Sequence, residues 1–400
     1  MSCVGIIAEY NPFHNGHLYH IDQARRLSGA RYVIAVMSGN FVQRGEVAAF
    51  DKFTRTRHAL MCGADMVLEL PTVFALSCAQ RFASAGVRII AGTGIVDSLC
   101  FGSESGDISA IQRAAALLHG EQANLSAAIM SNLKSGRSYP DALARAMSDG
   151  DEALYTLLQS PNDVLGIEYV KAISAYGSLL KPYAVKREGI AHDGDDASAN
   201  FASAKLIRSA TISGKLDTIA NVMPTAVFED ILKLIRSGAA PRENANFSSA
   251  ILYALRRMDA QELSLIPDVS EGLENLIFRA ARSETTYSGL LAAIKTRRYT
   301  LSRIKRILMC ALLGITKNTA DLDALYIRVL GVKKSSACLL SDMSKAATLP
   351  IIVKYSDCAK LNSRSAHMHN IDNHASAIAA LAGPLPCPAP FDYSLPLITI

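Results

Sequence analysis

Two histidines three positions apart, in the tetrapeptide His14-Asn15-Gly16-His17, are the residues of this chain best suited to phosphate chemistry. An apolar run precedes them and a helix-like segment follows, which predicts a strand, a tight turn and a helix start. A helix N-terminus presents unpaired N–H groups and a partial positive charge, and phosphates bind there. Gly16 lets the backbone approach a ligand, and imidazole rings can donate hydrogen bonds to phosphate oxygens. The tetrapeptide therefore predicts adenylyl transfer, against the alternative of two ordinary structural histidines.

Strand-like and helix-like segments alternate through the first hundred residues and supply the elements that would position these histidines. The strand-like runs are Val4–Ala8, Tyr32–Met37, Met66–Leu70 and Ser98–Phe101, and the helix-like runs are His17–Leu27, Thr54–Cys62 and Ala75–Ala91. Such alternation indicates right-handed βαβ units and a parallel sheet, in which ligands bind beyond the carboxyl ends of the strands. The sequence therefore predicts an α/β fold, a Rossmann-like parallel sheet with helices on both faces.

Other polar residues fall at the same predicted edge of the sheet. The loop Ser38–Gly45 carries Gln43 and Arg44. Lys52 and Arg55 follow at the start of a helix, three residues apart and therefore on one face. These cations could hold a pyrophosphate leaving group or an acyl carboxylate. A solvated loop beside a charged helix face is the alternative interpretation.

Two further residues are singled out by position. Gly102 ends the fourth predicted strand, where a nucleotide base or ribose would lie in this fold and a side chain would crowd the ligand. Asn162 follows Pro161 at a predicted helix start, and its simplest role there is an N-cap.

The pattern changes near residue 215. A strand-like run at Tyr183–Arg187 extends the nucleotide-binding part, which we predict to span residues 1–214. Beyond Lys215 helical segments dominate, so residues 215–400 are expected to form an α-helical RNA-binding domain. The segment Gly383–Pro396 contains five prolines and is expected to wrap the surface as an extended tail.

A basic segment without acidic residues runs from Thr285 to Ala320. Helical spacing of apolar residues predicts an amphipathic helix with the stripe Ile304, Ile307, Leu308, Ala311 and Leu312. Arg303 and Arg306 fall off this stripe and should face solvent, and Tyr299 could stack on a base. The predicted RNA contacts are Arg297, Arg298, Arg303, Lys305 and Arg306. A solvated basic face explains the same pattern equally well.

Composition favours an enzyme of the cytoplasm. The net charge of +5 permits a nucleic-acid partner without requiring one. The eight cysteines show no zinc-ligand spacing, so no protein metal site is predicted and free thiols in a reducing compartment are expected. We recognise no signal peptide and no apolar run of about 18 residues that could cross a membrane.

Five segments carry a more specific signal: Gly5–His17 (GIIAEYNPFHNGH), Met37–Gly45 (MSGNFVQRG), Gly63–Pro71 (GADMVLELP), Phe101–Glu104 (FGSE) and Ser160–Tyr169 (SPNDVLGIEY). The HxGH motif alone is typical of the nucleotidyltransferase superfamily. With these segments the chain resembles, over essentially its whole length, the tRNA(Met) cytidine acetate ligase family. Ser203–Arg208 lies where the superfamily has its second signature, although Lys205 stands in place of the usual threonine.

The resemblance implies an ATP-dependent ligase whose partners are acetate and elongator tRNA(Met). Acetate would attack the α-phosphate of ATP, and the resulting acetyl-adenylate would acetylate N4 of the wobble cytidine. Mg²⁺ is expected with the phosphates, and catalysis is assigned to His14, His17, Ser203 and Arg208. The implied ATP contacts are Ile7, Ala8, Glu9, Tyr10, Asn11, Pro12, Phe13, His14, Asn15, Gly16, His17, Leu18, Tyr19, His20, Gly102, Asn162 and Arg187.

Two other functions stay open on the sequence. A small-molecule adenylyl- or cytidylyltransferase would use the same HxGH turn, although it rarely needs a large basic helical domain. A non-catalytic RNA-binding protein with a vestigial nucleotide fold is disfavoured by the intact HxGH motif and by Arg208. The sequence does not indicate the oligomeric state.

Overall fold

A computed structural model describes residues 2–120, 122–137, 139–187, 200–270, 272–320, 322–389, 392 and 395–400. Its strands are β1 (Cys3–Ala8), β2 (Tyr32–Ser38), β3 (Phe41–Val42), β4 (Glu46–Val47), β5 (Met66–Leu70), β6 (Ser98–Ser103), β7 (Lys181–Lys186), β8 (Ile327–Val332), β9 (Ile351–Ile352) and β10 (Ile398–Thr399).

The α-helices are α1 (Asn15–Ser28), α2 (Lys52–Met61), α3 (Thr72–Ala75), α4 (Ala79–Gly92), α5 (Ile108–Gly120), α6 (Gln122–Lys134), α7 (Tyr139–Ser148), α8 (Glu152–Gln159), α9 (Pro161–Ala175), α10 (Ala204–Ile212), α11 (Thr225–Arg236), α12 (Ser248–Arg257), α13 (Ala260–Ser264), α14 (Leu273–Ser283), α15 (Tyr287–Ile294), α16 (Leu301–Leu313), α17 (Lys317–Ala320), α18 (Cys338–Ala346) and α19 (Ser363–Ala379). Among the described residues, no helix is both long and apolar enough to cross a membrane.

The main sheet has the strand order β10-β8-β5-β2-β1-β6-β7. Strands β5, β2, β1, β6 and β7 are parallel to their neighbours in this run, as the alternation of elements predicts. The chain builds outward from β1 through β2 to β5, and then returns to the other side of β1 with β6. The order therefore reverses between β1 and β6, and a ligand crevice opens beyond the carboxyl ends of these two strands.

Alternating side chains divide the core between the two faces of the sheet. Val4 and Ile6 of β1 belong to the cluster that packs α1, α2 and α10, whereas Cys3 and Ile7 belong to the cluster that packs α4 and α9. This second cluster continues into the buried residues of α12, α14, α15 and α16. These four helices are thus packed onto the sheet through one continuous apolar core.

The expectation of an α-helical domain over residues 215–400 misses three strands. Strand β8 pairs antiparallel with β5, and β9 and β10 both pair with β8. Strand β8 has the sequence IRVLGV, a short, wholly buried run that is rich in β-branched residues. This composition is the signal that could have revealed the strand. The sheet therefore draws strands from both sides of residue 214, where the boundary between domains stays a prediction.

A buried cluster of charges ties the chain's end to this sheet. Lys52 is fully buried, with its Nζ 2.6 Å from Glu69 and 2.5 Å from Asp392. Arg328 of β8 lies 2.9 Å from Asp392 and 3.3 Å from Glu69. Two cationic and two anionic side chains thus neutralise one another in the interior, because burying a charge is costly unless it is paired. The predicted surface tail is wrong at Asp392, which is buried, while 390, 391, 393 and 394 lie outside the described residues.

Candidate nucleotide-binding site

The two motif histidines form the N-terminus of α1, as predicted. His14 is the N-cap, and its Nδ1 accepts a hydrogen bond of 3.0 Å from the Gly16 N–H. His17 is the third residue of the helix, and its Nδ1 accepts from the His14 N–H at 3.3 Å. The two rings stack with centroids 3.8 Å apart. A Cβ on Gly16 would lie 2.8 Å from the His14 ring, so the glycine is needed to seat that ring as well as to admit a ligand.

These hydrogen bonds fix the chemistry of the histidines. Because each Nδ1 accepts an N–H, each Nε2 carries the ring hydrogen and donates. Burial, together with the positive charges of Arg187 and Arg208, lowers the pKa of His14 to about 3, and burial holds the pKa of His17 well below its usual value. Both rings are therefore neutral hydrogen-bond donors near pH 7.

A cavity of about 250 Å³ opens at the crevice between β1 and β6. It collects residues from seven separate parts of the chain, among them both motif histidines, Gly102, Asn162, Arg187, Ser203 and Arg208. From the predicted ATP segment it is lined by Ile7, Ala8, Glu9, Tyr10, Asn11, His14, Gly16, His17, Tyr19 and His20. Four residues of the predicted ATP segment do not line the cavity: Pro12, Phe13, Asn15 and Leu18. Asn15, for example, donates to the carbonyls of Asn200 and Asn221.

The second signature also reaches this cavity. Ser203 caps α10 by accepting a hydrogen bond of 3.1 Å from the Leu206 N–H. Arg208 donates to the carbonyl of Asn11 at 2.9 Å, which directs its guanidinium to the turn that carries the histidines. Lys205 is exposed and lines the same cavity. The lysine that breaks the usual pattern thus adds a positive charge where phosphates would bind.

The floor of the site differs from the prediction at Asn162. The N-cap of α9 is Ser160, and Asn162 is the second residue of the helix. The Glu104 carboxylate accepts from the backbone N–H groups of Asn162 and Asp163 and from the Asn162 amide. Asn162 is therefore held at the cavity wall by Glu104 rather than serving as a cap.

Gly102 and Arg187 face each other across the ends of β6 and β7. A Cβ on Gly102 would make only ordinary contacts with the Arg187 side chain, at 3.7 Å and beyond. Packing within the protein therefore does not demand glycine here, and a ligand contact at Gly102 stays a prediction. Arg187 is exposed and its backbone N–H donates to Ser103.

Lys52 and Arg55 do not reach the cavity. Lys52 belongs to the buried charge cluster, and Arg55 is fully buried, donating to the carbonyls of Glu9, Ser38, Gly39 and Phe50. Neither predicted role of these two residues is therefore correct. They do not hold pyrophosphate or an acyl carboxylate at the cavity, and they do not form a solvated helix face. Arg55 instead braces the backbone at the ends of β1 and β2.

The sequence did not single out Glu46 of the β3–β4 hairpin, which lines the cavity. Its carboxylate lies 2.6 Å from the Nζ of Lys305 and 3.5 Å from the guanidinium of Arg208. A Cβ on Gly45, whose φ is +74°, would lie 2.3 Å from the backbone nitrogen of Arg306. The hairpin thus packs directly on the backbone of α16. Glu46 connects Lys305 of that helix with Arg208 of α10.

Lys305→Ala is expected to raise the KM for ATP about fivefold, the equivalent of one partly buried ion pair of about 1 kcal/mol. Without Lys305, Glu46 would be paired with Arg208 alone. A triphosphate that binds Arg208 would then have to displace a stronger Arg208–Glu46 ion pair. Steady-state kinetics with Lys305→Arg as the rescue variant and Arg303→Ala as the same-helix control check this. A change in tRNA affinity alone would show that Lys305 contacts RNA instead.

The arginines of the predicted RNA patch differ in their exposure to solvent and in their partners within the protein. Arg297 and Arg298 are exposed. Arg306 pairs with Asp268 at 2.7 Å and its side chain is only 13% exposed, and Arg303 donates to the Asp268 carbonyl and to Ser270. The expectation that Arg306 faces solvent is therefore wrong, because its guanidinium pairs with Asp268. Arg303 stays partly exposed while it donates to Asp268 and Ser270. Tyr299 is buried and cannot serve as an open stacking platform.

Comparison with known proteins finds similarity over nearly the whole chain. Residues 1–387 match the family described as HIGH Nucleotidyl Transferase. The tRNA(Met) cytidine acetate ligase of Acetivibrio thermocellus is 38% identical over 379 residues, covering 90% of each chain. The enzyme of the same name from Thermoanaerobacter sp. (strain X514) is 38% identical over 404 residues and 100% of both chains.

Solved structures agree with this assignment. The crystal structure of Thermotoga maritima TmcAL bound with alpha-thio ATP is 33% identical, covers 100% of both chains and superposes with a TM-score of 0.92. The apo form of the same protein gives a TM-score of 0.94. The chain therefore belongs to the tRNA(Met) cytidine acetate ligase family of HIGH nucleotidyl transferases.

Proposed function

We propose that this protein is an ATP-dependent ligase that activates acetate as acetyl-adenylate and acetylates N4 of the wobble cytidine of elongator tRNA(Met). The observation that carries the proposal is the cavity at the β1–β6 crevice, where both motif histidines, Ser203 and Arg208 line one wall. Relatives that carry the name of this activity match the chain along its full length. The free cysteines fit a reducing cytoplasm.

In the first step, a carboxylate oxygen of acetate bonds to the α-phosphorus of ATP while the bond to pyrophosphate breaks. The Nε2 donors of His14 and His17 are pointed at the developing phosphate charge without being charged themselves. Ser203 and Arg208, which line the same cavity, would hold the phosphates together with the histidines. Because positioning and preorganised donors supply the catalysis, the step needs no protein nucleophile.

Mg²⁺ stays a prediction for this site. Among the described residues, no group of three or more histidine, cysteine, aspartate or glutamate side chains could hold a metal. Mg²⁺ commonly keeps several waters and binds through substrate phosphates, so it would arrive with ATP. The chain's own residues supply the hydrogen-bond donors of the first step.

The decisive experiment is incubation of the full chain with ATP, acetate and elongator tRNA(Met), followed by nucleoside analysis. Acetate-dependent release of pyrophosphate together with N4-acetylcytidine supports the proposal. Consumption of ATP with another acceptor and no acetylated cytidine would instead favour a small-molecule nucleotidyltransferase.

The double variant Arg297→Ala/Arg298→Ala is expected to weaken tRNA binding and to flatten its salt dependence. Each lost phosphate contact lowers the slope of log K against log salt by about 0.9 for a duplex and about 0.7 for a single strand. Binding titrations at several salt concentrations check this, with ATP affinity expected to stay unchanged. The double variant Arg113→Ala/Lys345→Ala, which also removes two exposed cations, is the control. An unaltered salt slope would remove this patch from the RNA interface.

A further inference from the structure

The second step of the proposed reaction releases a proton that the protein must accept. The exocyclic amine of cytidine is a weak nucleophile because its lone pair is conjugated with the ring. When this nitrogen bonds to the acetyl carbon, it becomes positively charged until a proton leaves. A base positioned at the cavity accelerates such a step.

The motif histidines cannot be this base. Each Nδ1 already accepts a backbone N–H, from Gly16 or from His14, and each Nε2 therefore carries a hydrogen. Neither ring has a free lone pair directed to the cavity. His20 also lines the cavity, but its Nε2 is buried and burial lowers its pKa to about 4, so the carboxylates of the wall are the stronger candidates.

Two carboxylates line the cavity among the described residues, and they differ in their surroundings. Glu46 is paired with Lys305 at 2.6 Å and with Arg208 at 3.5 Å, so both of its carboxylate oxygens are already engaged. Glu9 directly follows β1, and none of the described lysine, arginine or histidine side chains lies within ion-pair distance of its carboxylate. Glu9 is thus the less neutralised of the two.

The Glu9 carboxylate is held in place on one side and open on the other. Its Oε1 accepts a hydrogen bond of 2.7 Å from the backbone N–H of Gln43. Its Oε2 has no partner among the described residues and is not sealed from the cavity. Burial raises the pKa of Glu9, and the charged groups that face it are Arg208 from α10, Glu46 from β4 and Arg55 from α2.

We propose that Glu9 is the general base of acetyl transfer, an inference that rests on the proposed function. The N4 lone pair forms the bond to the acetyl carbon, and the bond from that carbon to the AMP oxygen breaks with its electron pair leaving on AMP. The Glu9 Oε2 takes the N4 proton and later returns it to water. Atoms and charges balance without a co-reactant.

The test compares the two steps in Glu9→Gln, which keeps an oxygen to accept the Gln43 N–H. Acetyl-adenylate formation is measured as acetate-dependent ATP–pyrophosphate exchange. Transfer is measured in a single turnover, with synthetic acetyl-adenylate and tRNA(Met). We expect transfer to fall about 10²- to 10⁴-fold more than exchange, the usual contribution of a general base. An equal effect on both steps, or none, overturns the proposal.

Glu46→Gln is the matched control, because it removes the other carboxylate of the same wall. Selective loss of transfer in Glu46→Gln would assign the base to Glu46 and overturn the proposal. The wild-type transfer rate should rise with pH through the raised pKa of Glu9, since only the deprotonated form accepts a proton, and Glu9→Gln should lose this rise. Failure of the wild type to make either acetyl-adenylate or acetylated tRNA would instead refute the proposed function.

Discussion

Replacement of His17 by alanine is expected to slow acetyl-adenylate formation about 10²- to 10³-fold, the usual cost of removing one preorganised donor from a developing oxyanion. His17 is a neutral donor whose Nδ1 is engaged by the His14 N–H, so its Nε2 hydrogen is directed into the cavity. Its loss removes a donor aimed at phosphate charge that develops during the reaction. Acetate-dependent pyrophosphate exchange measures the effect.

Two further variants of the same residue separate catalysis from helix capping. His17→Asn keeps a side-chain oxygen that can accept the His14 N–H but is too short to reach the cavity, so this variant should be as slow as His17→Ala and more stable. His17→Gln places an amide donor near the original Nε2 position and should recover part of the rate. A normal rate in folded His17→Ala, verified by circular dichroism, would discredit the proposed role.

Lys52→Met is expected to lower the free energy of unfolding by about 3–5 kcal/mol, because removing one partner from a buried ion pair leaves an uncompensated charge. Here the loss leaves Glu69 and Asp392 with Arg328 as their only cationic partner among the described residues. All three remaining groups are buried, so water cannot stabilise the excess negative charge. The urea midpoint and Tm measure the change.

Arg57→Ala is the control for this prediction, because it also removes one cation from an ion pair on α2. Arg57 pairs with Asp230 at 2.7 Å, but the two side chains are 39% and 24% exposed. Exposed pairs contribute about 0–1 kcal/mol, so this variant should change stability far less. Comparable losses in the two variants would show that burial of the charge cluster is not what makes Lys52 important.

Much of the fold and the central motif could be predicted from the sequence. The strands β1, β2, β5, β6 and β7 appear where apolar runs predict them, and α1 starts within the predicted histidine motif, with His14 as its N-cap. These features are local, because strand and helix periodicity and capping depend on residues a few positions apart. The pairing of β8 with β5 could not be predicted, because it joins positions about 260 residues apart in sequence, which a local pattern does not encode.

The roles of the cations could not be predicted in the same way. Lys52 and Arg55 have the spacing of an exposed basic face, yet both are buried. Lys305 lies in the segment that predicts RNA contacts, yet its Nζ pairs with Glu46 at the ATP cavity. A charged side chain takes its role from the partners that surround it, and those partners come from distant parts of the chain.

The sequence by itself determined the family and the phosphate-binding turn, because the motif His14-Asn15-Gly16-His17 and its flanking strand and helix are contained in one continuous segment. Only the tertiary structure decided which charges face the cavity and which are buried. It left Glu9 with an open carboxylate oxygen, neutralised Glu46 between Lys305 and Arg208, and enclosed Lys52 with Asp392. Burial and ion pairing set the availability of these groups, and both arise from contacts between segments far apart in sequence.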